Sequence, residues 1–84
     1  MFLVEFSSQA TKFIQKSDKN LDSRLIKKIE LLQVDPFPKD VKRVVNRNEK
    51  IFRVRVGDYR IQYCVFYDQS EILVTEIELR ERAY

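Results

Sequence analysis

Histidine is absent from these 84 residues, and cysteine, glycine and proline together take only four positions. Without histidine, and with Cys64 as the single thiol, a zinc site has almost no protein ligands to draw on and no internal disulfide can form. Metal chemistry based on histidine or cysteine is therefore excluded, and no cofactor is expected. No run approaches the ~20 apolar residues that span a bilayer, and the opening MFLVEFSS lacks a basic leader followed by a long apolar core. The expected compartment is the cytoplasm, with no membrane partner. Scarce glycine, a 44% hydrophobic content and ten aromatic residues argue for a packed chain despite 35% charged residues. A chain of this length fits one small domain, residues 1–84, which buries somewhat over ~60% of the surface it exposes unfolded.

The formal charge of +3 is modest, but it is unevenly spread. Between positions 42 and 60 lie Lys42, Arg43, Arg47, Lys50, Arg53, Arg55 and Arg60, against only Glu49 and Asp58. That local excess points to an anionic partner.

The apolar pattern divides the chain in two. FLVEF (2–6) reads as a short strand, with Ser7 and Ser8 as helix N-cap candidates. Ala10, Phe13 and Ile14 follow at helical spacing, Asp18 to Asn20 supply a connection, and Leu21, Leu25, Ile29 and Leu32 predict a second helix. Asp35-Pro36-Phe37-Pro38 stops it, because proline disfavours helix at the residue before it. The period then changes to two: KRVV (42–45), IFRVRV (51–56), YRIQYCVFY (59–67) and EILVTEIEL (71–79) read as strands. The expected fold is α+β: an N-terminal strand, a two-helix hairpin and a twisted antiparallel sheet of about four strands. The helices should cover its apolar face.

Gly57-Asp58 has the chemistry of a two-residue hairpin turn, which pairs Val56 with Tyr59 and sets Arg55 opposite Arg60. Alternation then gathers Arg53, Arg55, Arg60 and Gln62 on one surface and Phe52, Val54, Tyr59, Ile61 and Tyr63 on the other. Like charges directly opposite one another are unfavourable in a sheet. In the last strand the same alternation turns Leu73, Ile77 and Leu79 inward. Ile72, Val74, Glu76 and Glu78, and beyond them Arg80, Arg82 and Tyr84, then share the surface of Arg60, as do Cys64 and Phe66. An anion, or Glu76 and Glu78 in its place, would relieve the opposed arginines. Guanidinium groups suit phosphate oxygens, whereas a plain surface ion lattice with Glu76 and Glu78 would carry no function.

Three segments, DPFPKDVKRV (35–44), FRVRVGDYRIQY (52–63) and IELRERAY (77–84), resemble the RelE/ParE toxin superfamily in content and spacing, over essentially the whole chain. The resemblance implies a small toxin of a type II toxin-antitoxin pair, held by a cognate antitoxin. In the RelE branch it further implies a ribosome-dependent endoribonuclease that cuts mRNA without a metal, the 2′-hydroxyl attacking the adjacent phosphate. By matching positions, Arg53, Arg60, Arg80 and Tyr84 would form the catalytic set, with Lys42, Lys50, Arg55 and Arg82 holding the RNA backbone. Some relatives carry two lysines on the strand that here reads Ile51-Phe52-Arg53, so Arg53 matches one of them and Ile51 leaves the other unmatched. Arginine is a poor base, and Glu49, Glu76, Glu78 and Lys50 stay open as general bases. A ParE-like DNA gyrase inhibitor and an inactive, antitoxin-binding remnant are the alternatives.

Overall fold

The computed structural model describes residues 1–44 and 50–79. Its elements run β1 (Leu3–Phe6), α1 (Ser8–Lys16), α2 (Lys19–Val34), β2 (Lys42–Arg43), β3 (Phe52–Val56), β4 (Tyr59–Phe66), a 3-10 turn (Tyr67–Gln69) and β5 (Glu71–Leu79).

Both helices start on side-chain caps. The Ser7 hydroxyl accepts from the Ala10 amide, and the Asp18 carboxylate accepts from the Leu21 amide, each satisfying an N–H that the first helical turn leaves without a partner. Because Asp18 is the cap, Lys19 and Asn20 belong to α2 and not to the connection expected over 18–20. The helix ends at Val34, immediately before the Asp35-Pro36 pair. Tyr63 fastens the segment that follows by donating its hydroxyl to the Pro36 carbonyl. Phe37 packs edge-on against Phe52, with ring centroids 4.9 Å apart, and stacks on Tyr67.

The sheet has five strands in the order β1-β5-β4-β3-β2, and β1 runs parallel to β5. The four antiparallel strands expected after the prolines are present, although β2 spans only Lys42–Arg43. The N-terminal strand joins them as a fifth. It covers the outer edge of β5, whose N–H and C=O groups would otherwise be unpaired. Where β1 ends at Phe6, the Gln9 side chain takes over. Its amide donates to the Ile77 carbonyl and accepts from the Ile77 N–H, both at 2.9 Å.

β5 departs from strict alternation in which residues face inward. Gln62 pairs with Glu76, but Tyr63 pairs with Val74, so Thr75 is an extra residue in the ladder. Its hydroxyl donates to the Gln62 carbonyl at 3.2 Å. A bulge shifts strand alternation by one. Ile72 and Val74 are therefore fully buried together with Ile77, while Leu73 lies outside the buried core. Strict alternation had put Ile72 and Val74 on the open face and Leu73 inside. Under the helices, Ala10, Leu25, Ile29 and Leu32 join Val54, Ile61, Tyr63 and these β5 residues in one core cluster.

Candidate nucleic-acid site

Gly57 sits at φ 59°, a conformation that favours glycine, and Val56 pairs with Tyr59 across it. A Cβ built there would lie 2.0 Å from Nη2 of Arg24, whose guanidinium comes down from α2 onto the turn. With the turn held to two residues, Arg55 stands directly opposite Arg60, and Arg53 opposite Gln62. Lys42 of β2 pairs with Arg53 on its other side. In β5, Glu78 faces Arg60 and Glu76 faces Gln62. Two cross-strand rows result, Lys42–Arg53–Gln62–Glu76 and Arg55–Arg60–Glu78, each graded from basic at the β2/β3 edge to acidic at β5.

The basic ends of these rows open into a groove of about 590 Å³, lined by Lys39, Asp40, Lys42, Arg53, Val54, Arg55, Gly57 and Arg60. β2 begins only at Lys42, so among the described residues it does not pair with β3 beyond Arg53, and that strand edge forms part of the wall. Among the lining residues the acid is Asp40, which is already engaged by the Lys28 ammonium at 2.9 Å. The hydrogen bond from Lys28 holds the Asp40 carboxyl below its usual range. Five cationic side chains remain around the cavity, a potential well for a polyanion.

The opposed arginines are relieved on one side. Arg60 Nε donates to Glu78 Oε1 at 2.6 Å, and Gln62 Nε2 donates to the same oxygen at 3.1 Å. The Arg60 side chain is 17% exposed and that of Glu78 30%, so this pair is more sheltered from solvent than an ordinary surface ion pair. Glu78, not Glu76, makes the contact with Arg60. Arg55, on the opposite side of Arg60, is exposed.

Of the residues singled out from the sequence, Lys42, Arg53, Arg55 and Arg60 come together around the groove. Lys50 is exposed just ahead of β3 and does not line it. Arg80, Arg82, Tyr84 and Glu49 lie outside the described residues. Cys64 and Phe66 share the open face, as expected, but toward its other end, where they pair with Leu73 and Glu71. Sequence reasoning passed over Lys39 and Arg24. The KDVK run at 39–42 is a signal for the first; nothing local to Arg24 indicates that its side chain reaches the 57–58 turn.

The family model described as the ParE toxin of the type II toxin-antitoxin system, parDE, matches residues 4–84. A Methanocaldococcus jannaschii protein named as a candidate toxin, RelE1, is 36% identical over 88 residues, covering 96% of this chain and 97% of that protein. The archaeal RelE-RelB complex from Pyrococcus horikoshii contains a chain that matches this one with a TM-score of 0.82 at 26% identity, over 96% of this chain and 97% of that one. The intact E. coli RelBE toxin-antitoxin complex has the same fold, with a TM-score of 0.77 at 16% identity over 92% and 94% of the two chains.

Proposed function

This chain belongs to the ParE toxin family of type II toxin-antitoxin systems, within the RelE/ParE superfamily, and on that premise we propose that it is a RelE-like endoribonuclease that cuts mRNA on the ribosome. The observation that carries this reading is the groove in which Lys42, Arg53, Arg55 and Arg60 converge with Lys39. In the reaction, the ribose 2′-hydroxyl attacks the adjacent 3′ phosphate in line while the 5′-oxygen of the next nucleotide leaves. The products are a 2′,3′-cyclic phosphate and a free 5′-hydroxyl. Negative charge builds on the phosphorane oxygens in the transition state, and fixed guanidinium donors stabilise it without reorganising. Arg60 and Arg53 serve this role, Lys42 and Arg55 hold neighbouring phosphates, Lys50 extends that basic surface, and Arg82 joins the RNA-holding set on the strength of the family resemblance. Arg80 and Tyr84 complete the catalytic set on the strength of the family resemblance. No metal or cofactor is required by these roles.

The partner is a cognate antitoxin. Relatives with this fold occur in complexes of RelE with RelB, and a groove with this excess of positive charge suits an acidic segment that orders as it binds. The ribosome and mRNA are the targets, and the protein works in the cytoplasm. The match to the ParE model favours a second reading, inhibition of DNA gyrase without RNA cleavage. The deciding experiment adds purified, antitoxin-free chain to a translation extract with one defined message and maps new 5′ ends with and without ribosomes. Ribosome-dependent cuts that vanish in Arg60→Ala and Arg80→Ala support the ribonuclease. No cuts, together with loss of gyrase supercoiling, transfer the assignment to the second reading.

A further inference from the structure

We propose that Glu78 is a positioning residue for Arg60, holding its guanidinium by Nε so that the terminal amino groups are presented to an RNA phosphate in the groove. The inference rests on the RNA-directed reading above. A guanidinium has one N–H at Nε and four at its two Nη atoms, all in one plane. Glu78 Oε1 takes the Nε proton at 2.6 Å, which fixes the orientation of that plane while the side chain lines the groove. The carboxylate is itself braced. Gln62, nearly buried at 9% exposure, donates to the same Oε1, and the Thr75 hydroxyl at the bulge ties back to the Gln62 carbonyl.

Position and charge pull in opposite directions here. Without Glu78, Arg60 would be free to swing away from Arg55, which stands directly opposite it. With Glu78 in place, a negative charge sits next to the groove and weakens its attraction for a polyanion. Glu78 therefore improves the geometry of the reacting complex at the expense of ground-state affinity. A contact that only stabilised the fold would produce no such split.

The test uses the full chain as wild type, Glu78→Gln, Glu78→Ala and Arg60→Ala. A short single-stranded 2′-O-methyl RNA, which lacks the attacking hydroxyl, is titrated while the Arg60 Nε–H resonance is followed by NMR, assigned through its loss in Arg60→Ala. The resonance should be sharp in wild type and in Glu78→Gln, whose amide oxygen still accepts, and broadened in Glu78→Ala. Both Glu78 variants should bind the RNA roughly 3- to 10-fold more tightly, because a repelling charge has gone. In single-turnover cleavage of ribosome-bound message, Glu78→Ala should be slower by on the order of 10- to 100-fold, as misplaced catalytic groups generally are. Glu78→Gln should recover most of that loss. If the wild type cuts no message but the resonance and affinities behave as described, the positioning of Arg60 stands and the ribonuclease reading falls. If the wild type cuts and Glu78→Ala cuts equally fast, the positioning role is overturned and the ribonuclease stands. The same holds if Glu78→Ala binds RNA more weakly and merely melts at a lower temperature.

Discussion

On the face of the sheet beneath the helices, Val54, Ile61, Tyr63, Ile72, Val74 and Ile77 are buried. On the open face, the same strands with β2 carry Lys42, Arg53, Arg55, Arg60, Glu76 and Glu78 in register. The first set is explained by burial, which is non-directional and asks only for apolar volume. The second is not explained by stability, because Arg55 opposite Arg60 is an unfavourable pair that Glu78 relieves on one side only. An arrangement that lowers stability unless an anion arrives reads as a binding surface. The contrast between the faces thus supports the open face as the proposed binding surface without reference to any relative.

If this division is right, substitutions on the two faces should be separable. The largest effect is expected from Leu25→Ala, which empties a fully buried position and should cost about 2–5 kcal/mol. Urea unfolding reads the loss, while the fraction that stays folded should cut message at the wild-type rate. Arg60→Ala should do the reverse, slowing cleavage by roughly 10²–10³-fold, the usual consequence of removing one transition-state donor. Its stability in urea should fall by about 1–3 kcal/mol, the cost of leaving the half-sheltered Glu78 carboxylate without its donor, while cleavage falls far more than in proportion. A variant that loses stability and cleavage in proportion would break the separation.

Tyr63 sharpens the picture of the covered face, because its hydroxyl donates to the Pro36 carbonyl from within the core. Tyr63→Phe leaves that carbonyl without its donor and should cost about 1–3 kcal/mol. Burial also raises the phenol well above its ordinary value of 10.0. The folded chain keeps the proton where an unfolded tyrosine gives it up. This contribution is therefore complete below the unfolded value and is lost as pH rises past it. Stability measured from pH 8 toward 11 should fall less steeply in Tyr63→Phe than in the wild type. The smallest expected effect belongs to the rim of the open face. Lys42→Ala should weaken RNA binding evenly across sequences and lower the slope of log affinity against log salt by about 1, which fluorescence anisotropy over a salt series would read.

What the sequence determined by itself was local. A glycine at position 57 sets a two-residue turn, that turn sets the register of β3 and β4, and the register puts Arg55 against Arg60. Prolines after Asp35 end α2, and the change of apolar period separates helices from strands. These features depend on neighbours a few residues apart, so pattern and turn chemistry suffice. The tertiary structure decided the rest. Thr75 bulges where Ser7 Oγ donates to its carbonyl and Gln9 pairs with Ile77, contacts made across 68 positions. No alternation rule applied within β5 could reveal that Ile72, Val74 and Ile77 all face inward. β1 became a parallel fifth strand through pairing with distant residues, Leu3 against Glu71 to Phe6 against Val74, along the otherwise open edge of β5. The groove formed because β2 begins only at Lys42, so that Lys39 and Asp40, which precede it, lie beside a stretch of β3 they do not pair with. Which carboxylate meets Arg60 followed from the same distant contacts, since the bulge sets where each residue of β5 stands against β4. Charge placement along the chain could be read from the residues; its pairing across the sheet required the strands to be assembled.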